Sequence, residues 1–173
     1  MKKALVAVAI ALAVSLSVPA AEVSTKVSDV HLCCQSCVKG VQKAVEAVPG
    51  VTASANQDEG TVTLTGPDAA AVQKAVDALV AAGYYGTSSD STIKVNADTG
   101  AKGSKVSSLE IHGVHLCCGK CVKAVNTALA DVSGVTGNTA AKGVKSFTVN
   151  GDFNDKDVFA ALQKAGLTGQ AAK

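Results

Sequence analysis

Apolar residues recur at Val38, Val41, Val45 and Val48, and again at Val122, Val125, Leu129 and Val132. Steps of three and four put each set on one face of a helix. Pro49-Gly50 and Ser133-Gly134 close these helices, because glycine takes the left-handed position after a last turn at little cost. Two further helices are predicted from Val72, Val76 and Leu79, and from Val158, Leu162 and Ala165. Asp68 can cap the first, Asn154 or Asp155 the second, and they stop at Gly83 and Gly166. Between the helices the period shortens. Val51 and Val135 each open a strand, and turns are expected at Asp58-Glu59-Gly60 and Lys142-Gly143. Val62 with Leu64, and Phe147 with Val149, then mark strands that alternate in and out. Strands are also expected at residues 26–32 and 106–116, ahead of the first and third helices. Leu109 and Ile111 share one phase and Val114 and Leu116 the other, so a bulge is expected at Gly113. Short last strands are predicted at residues 84–87 and 167–169.

The pattern runs strand, helix, strand, strand, helix, strand, and it runs twice. Residues 30–40 read V-H-L-C-C-Q-S-C-V-K-G, and 84 positions later residues 114–124 read V-H-L-C-C-G-K-C-V-K-A. So long a period suits a duplicated small domain and not a solenoid unit. The predicted organisation is a first domain over residues 24–87, a linker over 88–104 and a second domain over 105–173. The linker is rich in Gly, Ser and Asp, with Ile93 and Val95 as exceptions, and an extended piece is expected at residues 92–95.

The N-terminus changes the picture. Lys2 and Lys3 precede an apolar run from Ala4 to Leu16, and Val18-Pro19-Ala20 follows. This is the order of a secretory signal, so residues 1–20 are expected to be a signal peptide and the protein periplasmic or secreted. Pro19 and the two serines argue against a retained membrane anchor, and no later stretch reaches spanning length. Removing Lys2 and Lys3 leaves 14 lysines against 14 acids, and the chain holds no arginine. A neutral, arginine-free chain with five aromatic residues argues against nucleic-acid binding. Ala, Val and Leu must fill the core.

All six cysteines fall in the two C-C-x-x-C clusters. Export alone would suggest a disulfide framework. Three cysteines within five residues, with no distant partner in the same repeat, argue against one, since bridging neighbours closes almost no loop. Cys34 and Cys118 are expected in loops, with Cys37 and Cys121 in first helical turns. Unpaired N–H groups there favour thiolate, with Lys39 or Lys120 adding to the effect. Two thiolates three residues apart can converge on one soft ion; sulfur selects Cu(I), Zn(II) or Hg(II) over Mg(II) or Ca(II). Two or three sulfurs suit Cu(I) best, since a structural zinc wants four ligands. Cys33 and Cys117 are candidate third ligands, or else small apolar residues facing the sheet. His31 and His115 are weaker candidates, too far along a strand to chelate without a bulge, and His112 is expected at the surface. Tyr84 and Tyr85 are expected to be ordinary strand residues.

Each copy resembles the heavy-metal-associated domain, whose motif is G-M-x-C-x-x-C. Leu32 and Leu116 stand where that family has Met, and Cys34 with Cys37 and Cys118 with Cys121 stand at its paired metal ligands. Val48-Pro49-Gly50-Val51 and Ala82-Gly83-Tyr84 look like its link into the second strand and its entry to the last. His31 and His115 replace the motif glycine, and Ala165-Gly166-Leu167 departs from Ala-Gly-Tyr in the second copy. The resemblance implies an α+β fold of two ferredoxin-like domains in tandem, each a four-stranded antiparallel sheet with two helices. It also places the chain near copper chaperones, the N-terminal modules of copper-transporting ATPases and an exported mercury-binding protein.

The expected function is to hold or relay a soft ion, Cu(I) ahead of Zn(II) or Hg(II), by exchange between thiolates. The expected partners are the ion and another thiolate carrier or transporter, with the chain a monomer. No nucleophile–base pair points to an enzyme. A thiol–disulfide relay through the same C-x-x-C pairs is the alternative, and cysteine bridging between chains is a third reading.

Overall fold

The computed structural model describes residues 21–172. The expected signal peptide lies outside the described residues. Two units follow one another with the same order of elements. The first runs β1 (Val23–Ser28), α1 (Gln35–Glu46), β2 (Thr52–Asn56), β3 (Thr61–Gly66), α2 (Ala69–Ala81) and β4 (Thr87–Ser88). The second runs β5 (Lys105–His112), α3 (Gly119–Ala130), β6 (Val135–Asn138), β7 (Ser146–Asn154), α4 (Asp155–Lys164) and β8 (Gln170–Ala171). The sheets are antiparallel, ordered β2-β3-β1-β4 and β6-β7-β5-β8. This is the α+β architecture expected, with two four-stranded sheets and four helices, and it is consistent with the ferredoxin-like arrangement.

The apolar faces close as their spacing requires. Val41 and Val45 of α1, Val62 and Leu64 of β3, and Val72, Val76 and Leu79 of α2 are buried in one apolar core that runs through both units. Val125 and Leu129 of α3, Ile111, Phe147 and Val149 of the sheet, and Val158 and Leu162 of α4 are the second unit's share of it. Each such side chain contributes about 1.5–3 kcal/mol by leaving water. Asp68 caps α2 by accepting from the Ala71 N–H at 2.8 Å, and Asn154 caps α4 by accepting from the Lys156 N–H at 3.0 Å. Both caps satisfy donors that the first helical turn leaves unpaired.

Three local expectations change. The strands ahead of α1 and α3 stop at Ser28 and His112, earlier than alternation suggested. Val30, Leu32, Val114 and Leu116 are buried all the same, as loop residues that join the apolar core. The bulge lies not at Gly113 but in β7, where Gly151 and Asp152 stand opposite Ser107 of β5; Gly113, at φ +80°, follows the end of β5. The last strands begin at Thr87 and Gln170, later than expected, because Tyr84 and Leu167 pair with each other across the two units.

That pairing joins the halves. Tyr85 N–H donates to the Gly166 carbonyl at 3.1 Å, and Thr168 N–H donates to the Gly83 carbonyl at 3.0 Å. Gly83 and Gly166 are at φ +88° and +76°, and each lies against the loop of the opposite half. A Cβ on Gly83 would meet the Gly113 carbonyl and the His115 N–H, and one on Gly166 the Asp29 carbonyl and the His31 N–H.

Residues 88–104 are strapped across both units. Ile93 is buried, and Gln73 brackets Lys94 with two hydrogen bonds of 2.8 Å. At the far end the N–H groups of Lys102, Gly103 and Ser104 converge on the Asp155 carboxylate at 2.8, 2.7 and 3.0 Å. Burial raises the Asp155 carboxyl, and these N–H groups overcome it and hold it below the ordinary carboxylate range.

Candidate metal centre

Cys34 is the N-cap of α1 and Cys118 the N-cap of α3, with nearly equal backbone angles: φ −165°, ψ 168° and φ −152°, ψ 171°. Their carbonyls take the first helical hydrogen bonds, from Cys37 N–H at 2.9 Å and Cys121 N–H at 3.1 Å. Neither cap has a side-chain hydrogen bond to the backbone of its helix, so sulfur occupies the place where Ser or Asp would normally bond. Cys37 and Cys121, one turn in, are wholly buried. Cys33, Cys34, Cys117 and Cys118 are half-buried, and all six cysteines are free thiols.

The pairing of the halves brings the two loops face to face. Within each loop Sγ of Cys37 lies 3.7 and 3.8 Å from Cys33 and Cys34, and Sγ of Cys121 lies 3.7 and 3.8 Å from Cys117 and Cys118. Across the loops the separations are as short. Cys33 is 3.4 Å from Cys118 and 3.5 Å from Cys121, while Cys34 is 3.8 Å from both Cys117 and Cys118. Cys37 is 3.6 Å from Cys117 and 4.0 Å from Cys121. All the sequence-predicted cysteines therefore share one site. Cys33 and Cys117 are thiol members of it; neither faces the sheet as a filler residue. Cys33 and Cys34 do not diverge as strand neighbours would, because the chain has left β1 by Ser28.

The two histidines part company. A ring nitrogen of His31 stands within 4.8 Å of the Cys33 and Cys121 sulfurs, close enough for a shared ion without a strand bulge. Its Nε2 is buried with no hydrogen-bond partner. Burial lowers its pKa first of all, so the ring favours its neutral, ligating form. His115 stacks on Tyr84 at 4.6 Å between ring centroids, and its Nε2 is 3.1 Å from the Tyr84 hydroxyl. That hydroxyl donates to the Cys37 carbonyl at 2.8 Å. Tyr84 is thus part of the site's frame, which the strand reading missed. Burial first, and the neighbouring sulfurs next, push its own ionisation up. A signal was present: the first copy pairs Gly40 with Tyr84, and the second has Ala124 and Leu167 at the matching places. A Cβ on Gly40 would strike the Tyr84 hydroxyl. His112 is exposed, as expected.

The thiols hold their protons unequally. N–H groups of Cys121 and Lys120 in the first turn of α3 bring Cys118 down to about 6. Cys33 is pushed up to about 12, by burial first and by its contact with Cys118 next. Cys117 is pushed up by burial and by Cys37. Cys37 and Cys121 lie 4.0 Å apart, and this contact drives the Cys37 thiol down and the Cys121 thiol up. Part of the site is thus poised as thiolate, the form that binds metal. Lys120 places its Nζ 3.4 Å from the Cys33 carbonyl, at the rim.

Residues 24–85, which include the first C-C-x-x-C loop, match the heavy-metal-associated domain. The first unit is a heavy-metal-associated domain. No curated protein matches the chain. Among solved structures it is similar to the N-terminal soluble domains of Bacillus subtilis CopA, at 17% identity over 88% of this chain and 95% of that one, TM-score 0.34. It is similar also to the apo form of the HMA domain of a copper chaperone for superoxide dismutase, at 26% identity over 51% and 86%, TM-score 0.35. The first two RRM domains of yeast Pub1 match at 9% identity over 86% and 97%, TM-score 0.25.

Proposed function

We propose that the protein is an exported carrier of a soft metal ion, Cu(I) ahead of Zn(II) or Hg(II), and that residues 105–173 act as a second heavy-metal-associated domain. The observation that carries this is the meeting of Cys34 and Cys37 with Cys117 in one triangle, with sides of 3.8, 3.8 and 3.6 Å. With a metal–sulfur bond of about 2.3 Å, three sulfurs around one ion stand about 4.0 Å apart. Soft ions of low coordination number fit such a triangle, and hard cations do not.

Transfer follows from exposure. Cys37 and Cys121 are buried and anchor the ion, while the outer thiols are within reach of solvent. An incoming thiolate can bond before an outgoing one leaves, with no acid or base required. The delivery partner is accordingly a second thiolate carrier or a transporter with its own cysteines. No helix among the described residues is long and apolar enough to cross a membrane. Residues 1–20 direct export in this reading, which places the protein in the periplasm or outside the cell.

Anaerobic titration of the reduced chain with Cu(I), Zn(II) and Hg(II), beside a Cys34→Ser, Cys118→Ser variant, tests the reading. Strong uptake by wild type, with Cu(I) held against the other ions and weakened in the variant, is expected. Equal uptake by both would overturn it.

A further inference from the structure

Independent C-x-x-C sites would leave Cys33 and Cys117 without a role. The sulfurs do not divide that way. Cys33 is nearer to Cys118 and Cys121 of the opposite half, at 3.4 and 3.5 Å, than to Cys37 of its own at 3.7 Å. Building on the metal-binding reading above, we propose that the six cysteines together hold one tetranuclear Cu(I)–thiolate cluster, each sulfur bridging two copper ions.

Four triangles of sulfur carry it. Cys34, Cys37 and Cys117 form the first, with sides of 3.8, 3.8 and 3.6 Å. Cys33, Cys37 and Cys121 form the second, with sides of 3.7, 3.5 and 4.0 Å. Cys33, Cys34 and Cys118 form the third, and Cys117, Cys118 and Cys121 the fourth, each set lying within 4.8 Å. Every sulfur belongs to two of these triangles and to no more. The triangles are alternate faces of a distorted octahedron, so their centres form a tetrahedron. A Cu(I) ion in each face has three sulfurs about 4.0 Å apart at a metal–sulfur bond of about 2.3 Å, close to the observed sides. Four three-coordinate ions need twelve bonds to sulfur, and six bridging sulfurs supply twelve.

The same pattern disfavours a zinc–sulfur tetrahedron. Four sulfurs around one zinc must all be mutual neighbours. Among the described residues, no four of these sulfurs are joined by all the contacts that requires. His31 lies beside the Cys33–Cys121 edge, but six sulfurs complete the set without it.

The assembly is chemically balanced. Loading forms copper–sulfur bonds, sends the remaining S–H protons to solvent and releases the carrier ligands that brought the copper. Copper stays Cu(I) throughout. Four cations and six thiolates leave two negative charges. The N-termini of α1 and α3 both open at the site, one from each half, and their N–H groups favour that charge.

Anaerobic loading of the reduced full chain, followed by native mass spectrometry and X-ray absorption, tests the cluster. Four coppers per chain are expected at saturation, with a copper–copper scattering shell. A Cys33→Ser, Cys117→Ser variant, shown folded by circular dichroism, should fall to two coppers and lose that shell. Wild-type saturation at two coppers with no such shell would overturn the cluster and leave soft-metal binding standing. Retention of four coppers by the variant would overturn it equally. Failure of wild type to take up copper would sink both readings.

Discussion

Gly83 and Gly166 decide how closely the two thiol loops can approach. Gly143, at φ +77°, has open space around its missing Cβ, whereas Gly166, at φ +76°, faces the Asp29 carbonyl and the His31 N–H. Gly143→Ala should therefore cost only left-handed strain, about 1–2 kcal/mol. Gly166→Ala adds the collision and should unfold at a clearly lower temperature, with the halves moved apart. Thermal unfolding of the two variants checks this; equal melting would mean that the interface tolerates the methyl. The gathering of the site was legible in residue types, since both C-C-x-x-C clusters stand at the start of a helix and their sulfurs meet. The roles of Cys33, Cys117 and Tyr84 were not. Each depends on a neighbour more than 30 positions away, and periodicity within one element carries no information about that.

At the scale of elements, the caps and cores follow from the sequence pattern with little left over. Asp68→Ala should remove the side-chain acceptor of α2 and cost about 0.5–2 kcal/mol in urea unfolding. Leu129→Ala, in the apolar core, should cost about 2–5 kcal/mol in the same measurement. If the two variants were equal, the packing described around Leu129 would be wrong. Asp155 gives a pH dependence. Its folded carboxyl lies below its unfolded value of 3.8, so its stabilisation is complete above that value and is lost as pH falls through the depressed one. Asp155→Asn should destabilise the chain by about 1–3 kcal/mol at neutral pH. Its stability should then fall less steeply than wild type below pH 4; parallel acid unfolding curves would rule out this role. The strand ends were misplaced for a related reason. Burial of Val30, Leu32, Val114 and Leu116 extends the apolar pattern past the last ladder hydrogen bond, so alternation overstates strand length. Tyr84 and Leu167 read as strand because they are buried, yet their partner is each other.

On the scale of the whole molecule, the two units do more than stand in series. Two copies tethered by a flexible linker would each offer one loop to solvent. Residues 88–104 are instead held down at both ends, and the Gly83 and Gly166 turns lock the copies so that the loops oppose. This could not be read from either repeat alone, because the linker's composition resembles that of a free tether. In the proposed centre sulfurs from each half hold the same ion, so losing one loop should weaken what remains. The most direct test replaces Cys117, Cys118 and Cys121 with Ser together and measures Cu(I) affinity of the reduced chain against a competing chelator. A shared centre predicts that affinity for the first copper falls at least tenfold, about 1.4 kcal/mol or more. Half the wild-type capacity at undiminished affinity would contradict it, and would return the protein to two independent sites.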